Sequence, residues 1–216
     1  MNPEISNFDL KPHFRAWDRE YESLVWGGPR SIRTIRENLP EGSRILDAGC
    51  GNGRYLLPLS RNYRVIGIDV SLNGIRAARS YLGKYGCSAE YMVSDITHLP
   101  LCDNSVDGIV CYGVLHHLFE KERADAAEEI LRVIQDNGYL FFEVFGVEDM
   151  RYGGDEVEKD TFLRKNGIIY HYFTVEEIEE LFSCSGYMDI EEAKSKKMFR
   201  GKEYIRHTIQ GVIGSI

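Results

Sequence analysis

Residues 45–53 read ILDAGCGNG, with Arg44 leading in. A short apolar run ends at Asp47 and breaks into a loop with glycine at 49, 51 and 53. Glycines spaced in this way let the backbone reach positive φ, and let a ligand approach the main chain where any Cβ would collide. Residues 54–59 are expected to open a helix whose free N–H groups face whatever occupies the loop. The stretch therefore predicts a strand–loop–helix unit with a ligand held on the loop.

A dinucleotide fingerprint, G-x-G-x-x-G, parks a pyrophosphate on the helix N-terminus. Here the third glycine comes one residue early, and Arg54 stands where that pattern wants Gly or Ala. Asp47 would also repel a pyrophosphate, so an NAD-dependent reductase is set aside. An anion at this point suits a ligand that carries an ammonium and a sulfonium. The run D-x-G-x-G-x-G from Asp47 to Gly53 resembles the first motif of class I S-adenosylmethionine-dependent methyltransferases. That resemblance implies a cofactor site including Asp47, Gly49, Gly51, Asn52 and Gly53, with S-adenosyl-L-homocysteine as the product.

Arg64–Asp69 (RVIGID) reads as a second buried parallel strand ending in an acid twenty residues past Gly49. Asp69 is placed to accept both ribose hydroxyls of an adenosine, with Val70 beside the adenine ring. Its structural alternative is a helix cap, although Ser71 already serves a helix over 72–82. Glu90–Val93 is the third strand. Asp95 and Ile96 after it resemble the family's third motif, in which an acid accepts from the adenine amino group. Residues 99–107 (LPLCDNSVD) are similar to the "LPF…SFD" run of the type 11 methyltransferases and lead into a fourth strand, 108–112. Tyr112, at its end, completes the expected cofactor set. Asp107 is read as ordering a turn.

The following loop reads GVLHHL (113–118), a sequence common in the type 11 family. Ligands in open α/β sheets sit beyond the strand carboxyl ends, so this loop borders the methyl group. His116 and His117 are the candidate catalytic residues, since an imidazole can act as general base near neutral pH. The structural alternative has one ring holding the loop and the other on the surface. A helix over 120–135 and a fifth strand over 138–145 complete the regular pattern.

With 216 residues and 43% apolar content, one α/β domain is expected. The resemblance implies a Rossmann-like, seven-stranded, mostly parallel sheet of order 3-2-1-4-5-7-6 with strand 7 antiparallel and helices on both faces. The methyltransferase domain is assigned to 42–216, and 1–41 to an N-terminal helical lid. In that lid, Phe14, Trp17, Tyr21 and Leu24 recur at three- and four-residue steps over 8–26, a helix with a largely aromatic stripe. It either packs on the core or lets Tyr21 or Trp26 close over the cofactor. Pro29 is placed to start a second helix. Residues 146–173 leave the regular pattern and are read as a substrate-pocket insertion, with Arg151, Arg164, Tyr170 and His171 the residues to watch. Thr174 opens a helix over 175–184 with a capping box, and strands over 188–194 and 203–210 end the chain. Lys194, Lys196, Lys197, Arg200 and Lys202 between them form a basic cluster. It reads either as a solvated hairpin whose lysines guard an edge or as a grip on an anion.

Five scattered cysteines without a C-x-x-C pair predict reduced thiols and no metal site. No apolar run approaches the roughly 18–20 residues of a membrane span, and 1–11 lacks a signal peptide's apolar segment, so a cytoplasmic protein without membrane contact is expected. The net charge of −8 disfavours nucleic acid globally. The leading expectation is thus a methyltransferase acting on a small molecule. The alternatives are a tRNA methyltransferase of the wobble-uridine group, which shares the GCGNG loop and the histidine pair, and a non-catalytic S-adenosylmethionine-binding subunit. The sequence leaves oligomeric state open.

Overall fold

The computed structural model describes residues 11–23 and 27–214; Trp26 and Leu24 lie outside the described residues. The chain runs α1 (Pro12–Ser23), α2 (Arg33–Asn38), β1 (Arg44–Ala48), α3 (Leu56–Leu59), β2 (Arg64–Asp69), α4 (Leu72–Gly83), β3 (Glu90–Val93) and β4 (Val106–Tyr112). A single 3-10 turn (Leu115–His117) precedes α5 (Glu120–Val133) and β5 (Ile134–Phe145). Then come β6 (Asp155–Glu158), β7 (Thr161–Leu163), β8 (Ile169–His171), α6 (Val175–Leu181), β9 (Tyr187–Phe199) and β10 (Lys202–Gly214).

The main sheet has the order β3-β2-β1-β4-β5-β10-β9. With β9 and β10 as sixth and seventh strands, this is the expected 3-2-1-4-5-7-6. Strands β1 to β5 pair in parallel, and β10 runs antiparallel to both β5 and β9. Successive strand residues face opposite sides, so Phe142 enters one core cluster with Leu46 and Ile130, and Phe141 enters the other with Ile45 and Leu56. Both rings are fully buried. Truncating either to alanine would cost about 3–5 kcal/mol, because the lost transfer energy adds to a cavity the sheet cannot close.

Several boundaries differ from the sequence reading. The helix after the glycine loop starts at Leu56 and lasts one turn, because 51–55 form turns first. The helix expected from Pro29 starts at Arg33, where the Ser31 hydroxyl accepts from the Arg33 amide. The insertion folds as its own three-stranded antiparallel sheet, β6-β7-β8. The terminal strands are each 13 residues long, far longer than expected. They join at Arg200 (φ 49°) and Gly201 (φ 75°), the two positive φ values that a tight two-residue hairpin turn requires. No described helix is long and apolar enough to cross a membrane.

Candidate active site

The carboxyl end of β1 delivers the chain into the glycine loop. Gly49, Gly51 and Gly53 have φ of 73°, 50° and 86°, and the Cys50 amide donates to the Ile68 carbonyl at 2.8 Å, tying the loop to β2. A Cβ on Gly49 would lie 2.3 Å from Val114, and one on Gly51 2.2 Å from the Tyr21 hydroxyl. A Cβ on Gly53 would instead press on Ala78 and Leu82 of α4. The third glycine thus serves helix–loop packing, while the first two keep bare backbone facing the site.

Two carboxylates stand at this edge. Asp69 Oδ2 accepts from the Gly51 amide and Oδ1 from the Ser71 amide, both at 2.8 Å. The Ser71 hydroxyl caps α4 by accepting from Gly74 and donates to Asp18 of α1 at 2.7 Å. Burial pushes Asp69 up to about 6, against the pull of those amides. Asp47 is buried, with Oδ2 lacking any partner, and burial together with Asp69 pushes it up to about 8. Asp47 itself lines neither of the two cavities at this edge; its orphaned carboxylate oxygen lies beneath the loop whose Gly49 and Gly51 do. Asp69, Val70, Asp95 and Ile96 line one cavity with Gly49. Phe14, Trp17 and Tyr21 of α1 line the same cavity. Asp95 Oδ1 accepts from the Thr97 amide at 2.9 Å and Oδ2 from Lys11 at 3.4 Å.

A second cavity of about 340 Å³ adjoins the first and shares Trp17, Tyr21, Gly49, Gly113 and His117 with it. Asn52 and Tyr112 face this second space, where Tyr112 packs on Tyr55 at 4.7 Å. Phe145 and Tyr170 supply further walls, and Arg30, Arg54, Arg151 and Arg206 stand around it. Asp149, whose side chain is fully buried, accepts from the Arg151 amide (3.0 Å) and Nε (2.8 Å) through Oδ1. Its Oδ2 accepts from Arg206 Nε at 2.7 Å and the His207 amide at 3.2 Å. Burial alone would raise Asp149, but the arginine hydrogen bonds hold it below the usual carboxylate range. One carboxylate from the insertion thereby aims two guanidinium groups, from distant segments, at one cavity. Arg151 lies 3.9 Å over the Phe145 ring, and its buried Nη2 has no partner.

Both histidines are buried, which corrects the alternative that placed one on the surface. His116 stacks on Phe145 at 3.7 Å with Nδ1 unpartnered. Burial, then His117 and the neighbouring arginines, hold its pKa well below the ordinary imidazole value. His117 donates from Nδ1 to the Ile169 carbonyl at 2.8 Å, and burial brings it down to about 4. Both rings are neutral at physiological pH.

Of the insertion residues, Arg151 and Tyr170 reach the cavity. Arg164 instead braces the loop through the Gly153 carbonyl, the Arg151 carbonyl and the Tyr172 hydroxyl. His171 is buried between Thr161 and Glu177. Sequence reading missed Arg30, Glu143, Asp149 and Arg206. Glu143 had a signal, as the lone acid near the end of an apolar strand. Arg206 had none, because its place depends on how far β10 runs beyond its pairing with β5, beside β9. The five cysteines are free, and no cluster able to hold a metal occurs among the described residues.

Residues 46–142 match the family model described as a methyltransferase domain. The chain is 38% identical over 147 residues to the tRNA (carboxymethyluridine(34)-5-O)-methyltransferase of Arabidopsis thaliana, covering 68% of this chain and 35% of that protein. It is 35% identical over 130 residues to the probable tRNA methyltransferase 9B of Bos taurus, covering 60% of this chain and 26% of that one. The chain thus spans only about a quarter to a third of these relatives. A solved S-adenosylmethionine-dependent methyltransferase of Methanosarcina mazei superposes with a TM-score of 0.71 at 26% identity, over 87% of this chain and 99% of that one. Together with the sheet order and the glycine loop, these likenesses show that the chain belongs to the class I S-adenosylmethionine-dependent methyltransferases.

Proposed function

We propose that the chain transfers a methyl group to a carboxylate oxygen, and that this carboxylate is carried by a wobble uridine of tRNA. The observation that carries the reading is the Asp149-held pair Arg151 and Arg206 on a cavity beside the cofactor site, next to histidines kept neutral. When bound, S-adenosylmethionine supplies an electrophilic sulfonium methyl that an acceptor atom takes by in-line displacement. Asp47 would take the cofactor's ammonium, Asp69 its ribose hydroxyls, and Asp95 with Ile96 its adenine. Gly49 and Gly51 let it lie against the main chain. Arg151, through its unpartnered Nη2, and Arg206 orient the acceptor carboxylate toward the methyl, and Tyr170 and Phe145 wall the acceptor side. A carboxylate is already ionised at neutral pH, so no proton must leave it before attack. Weakly basic imidazoles suit that chemistry, and their role is to wall the site and exclude water.

The tRNA assignment rests on the printed functions of the relatives and on the four arginines, which make the mouth locally basic despite the net charge of −8. We assign residues 1–41 to a lid, since α1 roofs the cofactor cavity, and 146–173 to the acceptor wall. The test is incubation with methyl-labelled S-adenosylmethionine and, separately, total tRNA, a small-metabolite extract and a protein extract. The expected outcome is label in tRNA that mild alkali releases as methanol, the mark of an ester. Alkali-stable label would overturn the carboxylate assignment. Label confined to the small-metabolite pool would move the acceptor to a free organic acid. Tight cofactor binding with no transfer at all would point to a non-catalytic subunit.

A further inference from the structure

Strand β10 pairs with β5 only from Thr208 onward, whereas it pairs with β9 along its whole length. The six pairs from Lys202 to His207 therefore project past the carboxyl end of β5, beyond the rim where cofactor and acceptor meet. At about 3.4 Å per residue the projection is roughly 20 Å long. Residues opposite one another in an antiparallel ladder share a face, so its two faces can be read from the register.

On one face, Lys202 stands opposite Phe199, Tyr204 opposite Lys197, and Arg206 opposite Ser195. On the other, Glu203 stands opposite Met198, Ile205 opposite Lys196, and His207 opposite Lys194. The faces differ in charge chemistry. The second is internally neutralised, with Lys196 bonded to Glu203 at 3.0 Å and Lys194 to Glu148. The first carries no carboxylate between Arg206 and the turn. Its lysines 197 and 202 are exposed, and Phe199 is 55% exposed. The Phe199 and Tyr204 rings lie 6.5 Å apart, and Arg200 stands 5.3 Å over Phe199. Going the other way from Arg206, the same face turns acidic at Glu191 and Asp189, beside Glu143.

The face thus interleaves cations with one exposed ring, Phe199, and one half-buried ring, Tyr204. Cations interleaved with aromatic rings are what a single-stranded nucleic acid meets on its binding proteins, with phosphates on the lysines and bases stacked on the rings. We propose that this face of the β9–β10 projection is an RNA-docking surface that leads a nucleotide loop to the cavity at Arg206. The acidic stretch below Arg206 repels the backbone and stops the loop there. The proposal rests on the reading of the acceptor as RNA, and it adds the surface that holds the chain around the modified base.

The test measures binding of a fluorescent synthetic RNA stem-loop by anisotropy at several salt concentrations. Lys197→Gln with Lys202→Gln should weaken binding about tenfold and flatten the log–log salt slope by about 1.4, two single-strand phosphate contacts. Phe199→Ala should weaken it about fivefold, by loss of stacking, with the slope unchanged. Lys196→Gln, on the opposite face, should change affinity less than twofold. Unaltered S-adenosylmethionine affinity in every variant shows that the fold is intact. The proposal is overturned if the face variants bind RNA normally, or if Lys196→Gln loses as much as they do. Failure of the native chain to bind the RNA while it captures an acidic peptide would also overturn it. RNA docking on this face without transfer to a carboxylate would leave the surface standing and remove the reaction proposed above. Methylation of free carboxymethyluridine without RNA binding would do the reverse.

Discussion

The cofactor and acceptor compartments share five residues, yet they are assembled by opposite means. In the first, Asp69 and Asp95 are each held by backbone amides of the loops that follow the parallel strands, Asp69 by Gly51 and Ser71 and Asp95 by Thr97. In the second, Arg151 and Arg206, from two segments far apart in sequence, meet through the buried carboxylate of Asp149, and Arg151 lies over Phe145. A locally built site tolerates change elsewhere in the chain. A site built around one shared anion depends on that anion, so damage to one compartment should leave the other working.

The strongest challenge to this division is Asp149→Ala. It leaves two guanidinium groups without their counter-charge, costing about 3 kcal/mol of stability, and misplaces both. Steady-state kinetics should show kcat/KM for the acceptor down at least a hundredfold, with cofactor affinity held within twofold by calorimetry. Equal loss of both would show that the compartments are one unit.

Asp69→Ala is the converse. Losing both ribose hydrogen bonds should weaken cofactor binding by roughly 2–3 kcal/mol, about 30- to 150-fold. Acceptor KM at saturating cofactor should stay unchanged. Unaltered calorimetric affinity would remove Asp69 from the site.

Acidity offers a subtler separation. Asp47, pushed up to about 8, and Asp69, up to about 6, hold protons in the folded chain that the unfolded chain releases near pH 4. Their contribution to the stability of the cofactor-free chain therefore falls as pH rises from about 4 to about 8. An ammonium is bound by ionised Asp47, so cofactor affinity should climb by up to about tenfold per pH unit below 8. Binding at pH 7 should release close to one proton, readable from calorimetry in buffers of different ionisation enthalpy. A flat profile between pH 6 and 8 would remove the ammonium from Asp47.

The smallest effect is expected from replacing His116 and His117 with glutamine. With no proton to remove from a carboxylate, turnover should fall less than about fivefold at intact cofactor affinity. A loss of a hundredfold or more, the range of a general base, would restore the imidazoles to the chemistry.

The same division explains what could be read from the sequence. Asp47, Gly49 and Asp69 could be singled out because each sits at a strand end or on the loop that follows it, where spacing alone marks the position. The sheet order was available only through the family resemblance that the motifs carry, and the observed order agrees with it. Residues 146–173 were recognised as irregular but not as a small sheet, since three- and four-residue strands carry too little periodicity. The length of β9 was underestimated because residues 195–199 have no core face to bury and alternation fades into charge, whereas β10 was cut short at 210 because Gly211 and Gly214 interrupt its pattern although Val212 and Ile213 are buried. Arg206 reaches the cavity only through a ladder register that no local pattern encodes.

Trp17 lies on the seam between the two cavities, with its indole 4.6 Å from His117, edge to face, and it is one of only two tryptophans in the chain. Its emission should respond to both occupants, first when an adenosine fills one side and again when a planar acceptor fills the other. A stopped-flow trace of the unlabelled protein would then carry two optical phases in the order of loading. The chain holds its own clock for the sequence in which its ligands arrive and leave.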